Sequence, residues 1–275
     1  MKRIIPILLI LLLLAGCGAQ QSYAPIAATT KPVAQFARAI AEGTGLTVDT
    51  LVTEPVSCLH DYSLSVTQLQ KAQHADIVLL SGGGLEDTMA DALAGTHTCD
   101  CAAGLPLKVT DEGTDPHCWL DPDYACAMAE NIAAALTAQY PQHADAFAEN
   151  LAALHGQFDE LWNYGAQQTF SCREIVTFHD GFSYFADALG LTVLAAIEEE
   201  AGSEVAAGDL IEIVALVREH NLPCVFVEEN GARDAAEIIA AETGCKIYTL
   251  TTCLSDDDYF AAMRRNIDTL QEALS

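Results

Sequence analysis

Short apolar runs rich in β-branched residues alternate with helical patterns along this chain, and the alternation occurs twice. In the first half, residues 26–30, 47–52 and 77–81 read as strands, with helices expected over 33–42 and 65–73 and from about Leu85. Residues 108–110 make a weak further strand. In the second half the strand runs are 174–178, 192–197, 224–228 and 246–250, separated by helical patterns at 182–189, 207–220, 232–242 and 257–273. Such runs suit strands buried on both faces, which argues for parallel sheets covered by helices. The expected fold class is α/β, as two parallel-sheet lobes.

Between the two blocks lies a long helical stretch. Residues 123–139 are periodic, Tyr140-Pro141 interrupts them, and Pro141 suits the first turn of a second helix. That helix, 141–167, carries Phe147, Leu151, Leu154, Phe158 and Leu161 at helical spacing. At 1.5 Å per residue it is roughly 40 Å long, so it reads as a rigid helix joining an N-terminal lobe, 26–140, to a C-terminal lobe, 168–275.

The N-terminus sets the compartment. Met1-Lys2-Arg3 is basic, Ile4 to Leu14 is nearly all hydrocarbon, and Leu14-Ala15-Gly16-Cys17 follows. Residues 1–16 read as a secretory signal peptide, too short to stay as a membrane span. The L-A-G-C ending resembles the bacterial lipobox, in which the cysteine is lipidated. Cys17 would then anchor the mature chain outside the membrane, with 17–25 as a tether. The formal charge of -27 repels nucleic acid and attracts cations. Nine of the ten cysteines follow Cys17; export permits disulfides, although Cys126 and Cys224 lie in apolar segments and read as small buried residues.

Three of the eight histidines share a context. His60 sits in "LHDYS" beyond a strand run, His117 in "DPHCWLDP" beyond the weak strand, and His179 in "FHDGFSYF" at the end of another. In open α/β sheets the ligand crevice lies beyond the carboxyl ends of the strands, so all three are placed to face it. His74, His143, His155 and His220 read as solvated helix or loop residues.

The segments "LHDYSLSVTQLQKAQHADIVLLSGGGLED", "DPHCWLDP", "FHDGFSYFADALGL" and "VFVEENGARDAAEIIAAETGCKIY" resemble the metal-binding lipoproteins of zinc and manganese ABC importers, the cluster A-I solute-binding proteins. The resemblance runs colinearly from about Ile26 to the end. It implies two α/β lobes joined by one long helix, the metal in the interlobe cleft, and ligand roles for His60, His117 and His179. Many members add an Asp where this chain has Leu250 or Thr251. Glu228 and Asp256 are the candidates for a fourth ligand, and a water is the other. Asp256 to Asp258 also read as an N-cap and acidic first turn.

Neutral imidazole suits zinc, whereas manganese sites lean on carboxylates, so Zn2+ is expected ahead of Mn2+. Asp61, Asp121 and Asp180 lie near the three histidines and could orient an imidazole through its other ring nitrogen; turns and helix caps are the competing roles. Residues 95–104 fall where zinc-type relatives carry a metal-collecting loop. Here His97, Cys99 and Cys101 offer an auxiliary thiolate and imidazole site, with disulfides as the alternative.

The resemblance implies an extracytoplasmic, membrane-anchored monomer that captures metal and hands it to an ABC permease with its ATPase subunit. A zinc hydrolase would use the open fourth position, but no H-E-x-x-H, G-x-S-x-G or phosphate-binding glycine loop occurs, and an enzyme is not expected. A metal-binding surface adhesin on the same fold is the other alternative.

Overall fold

The computed structural model describes residues 23–56, 59, 62–110, 113–198, 205–229 and 233–275. The expected signal peptide, Cys17, Cys58, His60 and Asp61 lie outside them. Two four-stranded parallel sheets form two lobes. The first contains β1 (Ile26–Ala28), β2 (Val48–Thr50), β3 (Ile77–Leu80) and β4 (Thr98–Asp100) in the order β2-β1-β3-β4. α1 (Lys31–Ile40) and α2 (Val66–His74) make its crossovers. Phe36, Ala37 and Ile40 bury one stripe of α1, and Pro32 occupies its first turn, where a missing N–H costs nothing. Ser65 and Gln68 close a reciprocal capping box on α2, which satisfies two otherwise orphaned donors.

The second sheet contains β7 (Glu174–His179), β8 (Thr192–Glu198), β9 (Cys224–Glu228) and β10 (Lys246–Leu250), ordered β10-β9-β7-β8. Its strands alternate between two cores. Cys224 and Phe226 face the large core shared with the first lobe. Val225 and Val227 face a smaller core under α6 (Ala207–Glu219) and α7 (Asp234–Thr243). That period-two split is why β9 is apolar from Cys224 to Val227. α7 ends at Gly244, whose φ of 79° is the left-handed cap glycine tolerates.

α3 (Pro122–Gln139) and α4 (Ala144–Ala166) are joined by a tight turn at Pro141–His143. The first helical residues after the proline are thus a 3-10 turn, and the linking helix proper begins at Ala144. α5 (Ser183–Ala188) follows β7, and α8 (Tyr259–Leu274) ends the chain. α8 returns to the first lobe. Tyr259 packs edge-on to Phe36 at 5.0 Å, and Phe36 meets Phe158 of α4 at 5.4 Å. Lys31 of α1 pairs with Asp257 at 2.8 Å and donates to the Ser255 carbonyl.

Two expectations need correction and a third is narrowed. The helix expected from Leu85 is only a 3-10 turn at Asp87–Met89, because Gly82, Gly83 and Gly84 all hold positive φ and wind the chain into turns. The weak strand is present but lies apart from both parallel sheets: β5 (Val109–Thr110) pairs antiparallel with β6 (Gly113–Thr114) in an exposed two-residue ribbon. Residues 95–104 are not a free loop, since Thr98–Asp100 pairs in parallel with β3 as the sheet edge.

Candidate metal site between the lobes

His179 is the last residue of β7, so the strand's end delivers its ring to the cleft. His117 arrives differently. It opens a buried 3-10 turn, His117–Leu120, between the two Asp-Pro pairs. Both histidines are 1% exposed. Their Nε2 atoms lie 3.1 Å apart, with the rings nearly perpendicular at 84°.

Asp115 fixes the first of these rings. Its Oδ1 accepts from the His117 backbone N–H at 3.0 Å and meets the ring Nδ1 at 2.9 Å. Its Oδ2 accepts from the Ser183 hydroxyl at 2.6 Å, and its backbone carbonyl accepts from Tyr184. Burial alone would raise this carboxyl; the His117 hydrogen bond and charge, with Ser183, hold it below the ordinary value instead. A proton on Nδ1 shared with Asp115 leaves Nε2 of His117 as a lone pair aimed at His179. The pair therefore calls for a proton or a cation between its two nitrogens.

Trp119 packs against His117, ring centroids 5.3 Å apart, and its Nε1 donates across the lobes to the Thr252 carbonyl at 2.7 Å. Tyr259 in turn donates to the Trp119 carbonyl. Gly181 leaves room beside both rings: a Cβ there would stand 2.7 Å from His179 Cδ2 and 3.1 Å from His117 Cδ2.

The remaining candidates are placed as follows. Glu228 ends β9, is buried, and accepts from the Thr252 hydroxyl at 2.9 Å. Asp256 accepts from Thr251 at 2.6 Å and pairs with Arg265. Asp258, not Asp256, caps α8. Asp121 accepts from the Asp123 N–H as the cap of α3; the role of orienting His117 belongs to Asp115, which sequence proximity did not single out. Asp180 is exposed at the end of β7. Its carboxyl is raised first by desolvation and then by the charge of Asp115.

His97, Cys99 and Cys101 do not converge among the described residues. His97 is exposed on the Asp76 carbonyl, whereas Cys101 is fully buried beneath the sheet edge. Neither cysteine is in a disulfide; all eight described cysteines are free thiols. His60 and Asp61 lie outside the described residues. Of their neighbours, Leu59 is buried and its carbonyl accepts from the Tyr62 N–H at 2.9 Å. Among the described residues, no helix is long and apolar enough to cross a membrane.

Asp115, Gly181 and Ser183 are the site residues that sequence reasoning missed. The available signal was the Asp-x-His spacing in "DPH" and the glycine following "HD".

Residues 26–273 match the family described as ZnuA, zinc-uptake complex component A, periplasmic. The manganese-binding lipoprotein MntA of Halalkalibacterium halodurans is 27% identical over 78% of this chain and 77% of its own. The zinc-binding lipoprotein AdcA of Streptococcus pneumoniae is 27% identical over 90% of this chain but 55% of its own, so the chain spans about half of that longer relative. Among solved structures, a crystal structure of ZnuA superposes with a TM-score of 0.83 at 28% identity, covering 92% of this chain and 100% of that one.

Proposed function

This chain belongs to the zinc-uptake complex component A family, and from that premise we propose that it captures Zn2+ outside the cytoplasm and delivers it to an ABC permease. The family is one of metal-uptake binding components, and the chain is not an enzyme.

One observation carries the metal reading. Two nitrogens 2.0–2.1 Å from a tetrahedral ion stand about 3.3 Å apart, and His117 and His179 present Nε2 atoms 3.1 Å apart. In the proposed site His60 supplies a third imidazole. Solvent completes the tetrahedron, because Asp256 is engaged by Arg265 and Thr251, and Glu228 by Thr252. An all-imidazole donor set favours Zn2+ over Mn2+. The metal is cargo, so a solvent-completed site that can exchange ligands suits release to a permease. Lipidation at Cys17 would hold the protein at the outer face of the membrane.

The test is competition calorimetry of Zn2+ against Mn2+ on the chelator-stripped protein, with His117→Ala and the triple His60/His117/His179 alanine variant. The proposal expects preference for Zn2+ and its loss in the triple variant. Unchanged affinity and stoichiometry in that variant would sink it.

A further inference from the structure

A second group of metal-ligating side chains lies on the α3–α4 hairpin. Cys126 and Glu130 are four residues apart on α3, and His155 faces them from α4. One ligand atom from each, thiol sulfur, carboxylate oxygen and imidazole nitrogen, lies within 4.8 Å of the other two. No other such trio occurs among the described residues. Residues four apart share a helix face, so packing two antiparallel helices brings the pair and its partner together, as in metal-binding helical bundles.

The contacts within the trio are those of co-ligands more than those of a hydrogen bond. His155 Nε2 stands 3.3 Å from Glu130 Oε1, the separation of two donors on one tetrahedral ion, about 3.3 Å. The same Nε2 is shielded from solvent yet makes no hydrogen bond. Asp159, one turn beyond His155, and Asp123 add negative charge close enough to act on the Cys126 thiol. Glu130 is exposed and the other two are half-buried, so an ion can enter from solvent.

We propose that Cys126, Glu130 and His155 form a second metal site, outside the cleft, for a borderline-soft divalent cation of the Zn2+ or Cd2+ class. Thiolate with imidazole selects that class over Mn2+, Mg2+ or Ca2+. On uptake the S–H bond breaks, the S–metal bond forms and the proton passes to solvent. Burial, then the carboxylates of Glu130, Asp159 and Asp123, push the thiol up to about 11. The charge that disfavours a bare thiolate there is the charge that attracts a cation. This site does not depend on the cleft reading.

The test loads the full chelator-stripped protein with Cd2+ and with Co2+, reading stoichiometry and the thiolate-to-metal charge-transfer absorption. A His117→Ala/His179→Ala variant, disabled in the cleft, should still bind one equivalent and show the band. Cys126→Ser should lose one equivalent and the band while keeping cleft binding. His155→Gln and Glu130→Gln should weaken the same equivalent by about ten-fold or more. These exposed or half-buried positions tolerate conservative exchange, and the three variants test the site independently. An unchanged band and stoichiometry in Cys126→Ser would overturn the proposal. So would loss of all binding in the cleft-disabled variant. Failure of the cleft reading alone would appear instead as intact stoichiometry in that variant.

Discussion

Asp115 and His117 are joined twice across two residues: one carboxylate oxygen accepts from the histidine's backbone N–H and meets its ring Nδ1. The turn and the ring orientation are thus set by a single atom. Asp115→Ala should free both, and loss of such a partner typically weakens metal binding about 10–100-fold. Zinc titration of the stripped variant measures this; unchanged affinity would mean the ring is held by its packing alone.

Gly181→Ala tests the space beside the imidazoles. The added methyl must displace His179, 2.7 Å away, or push the backbone back. Overpacking of this kind costs about 1–3 kcal/mol, and here it falls on the ligand pair. Metal affinity should drop further than the melting temperature of the stripped protein would suggest, a contrast visible by scanning calorimetry with and without Zn2+.

Acid should release the metal well before it unfolds the protein. Imidazoles take up protons below about pH 6.5, and a protonated imidazole cannot ligate. Asp115 behaves oppositely in range: its folded-state value lies below 3.8. Its stabilising contribution is therefore complete above the unfolded value and is lost only as pH falls through the lower folded one. Zinc retention and circular dichroism followed together against pH should show two separate transitions; a single shared midpoint would contradict this.

Trp119→Phe removes the indole N–H that reaches the Thr252 carbonyl and shrinks a fully buried ring. The hydrogen bond and the cavity together should cost about 1–3 kcal/mol, read as a lower denaturant midpoint.

Cys118 should be chemically silent despite adjoining a proposed ligand. Burial, with Asp115 next, pushes its thiol up to about 12, leaving about one part in 10^5 as thiolate at neutral pH. Its sulfur packs against Met128. Alkylation of the native protein at pH 7 should spare the Cys118 peptide, as read by mass spectrometry, and unfolding should expose it.

The strands of the second lobe were legible because burial on both faces makes 175–178 and 224–227 apolar runs broken only by Thr177. β4 was not, since Thr98-Cys99-Asp100 sits at a half-exposed sheet edge and carries no apolar pattern. His179 was readable as a strand-end residue. His117 was marked by its Asp-Pro brackets, but it opens a 3-10 turn instead of following a sheet strand, and the sequence suggested Asp121 where the turn in fact folds Asp115 onto the ring. His155 read as solvated because its partners lie on the other helix. Pairings between helices are fixed by how they pack, and a single helical periodicity records only which face is apolar.

The return of α8 to the first lobe also fixes a schedule. Gln35 accepts a hydrogen bond from the Tyr259 N–H, 224 residues away, and Phe36 is covered by the same tyrosine. At about 5–20 residues per second of synthesis, roughly 10 to 45 seconds separate the appearance of that aromatic ring from the arrival of its cover. Throughout that interval a ring destined to be fully buried has no final place to go. A nascent chain of this design needs to be kept from sticking to its neighbours until its last sixteen-residue helix has been made.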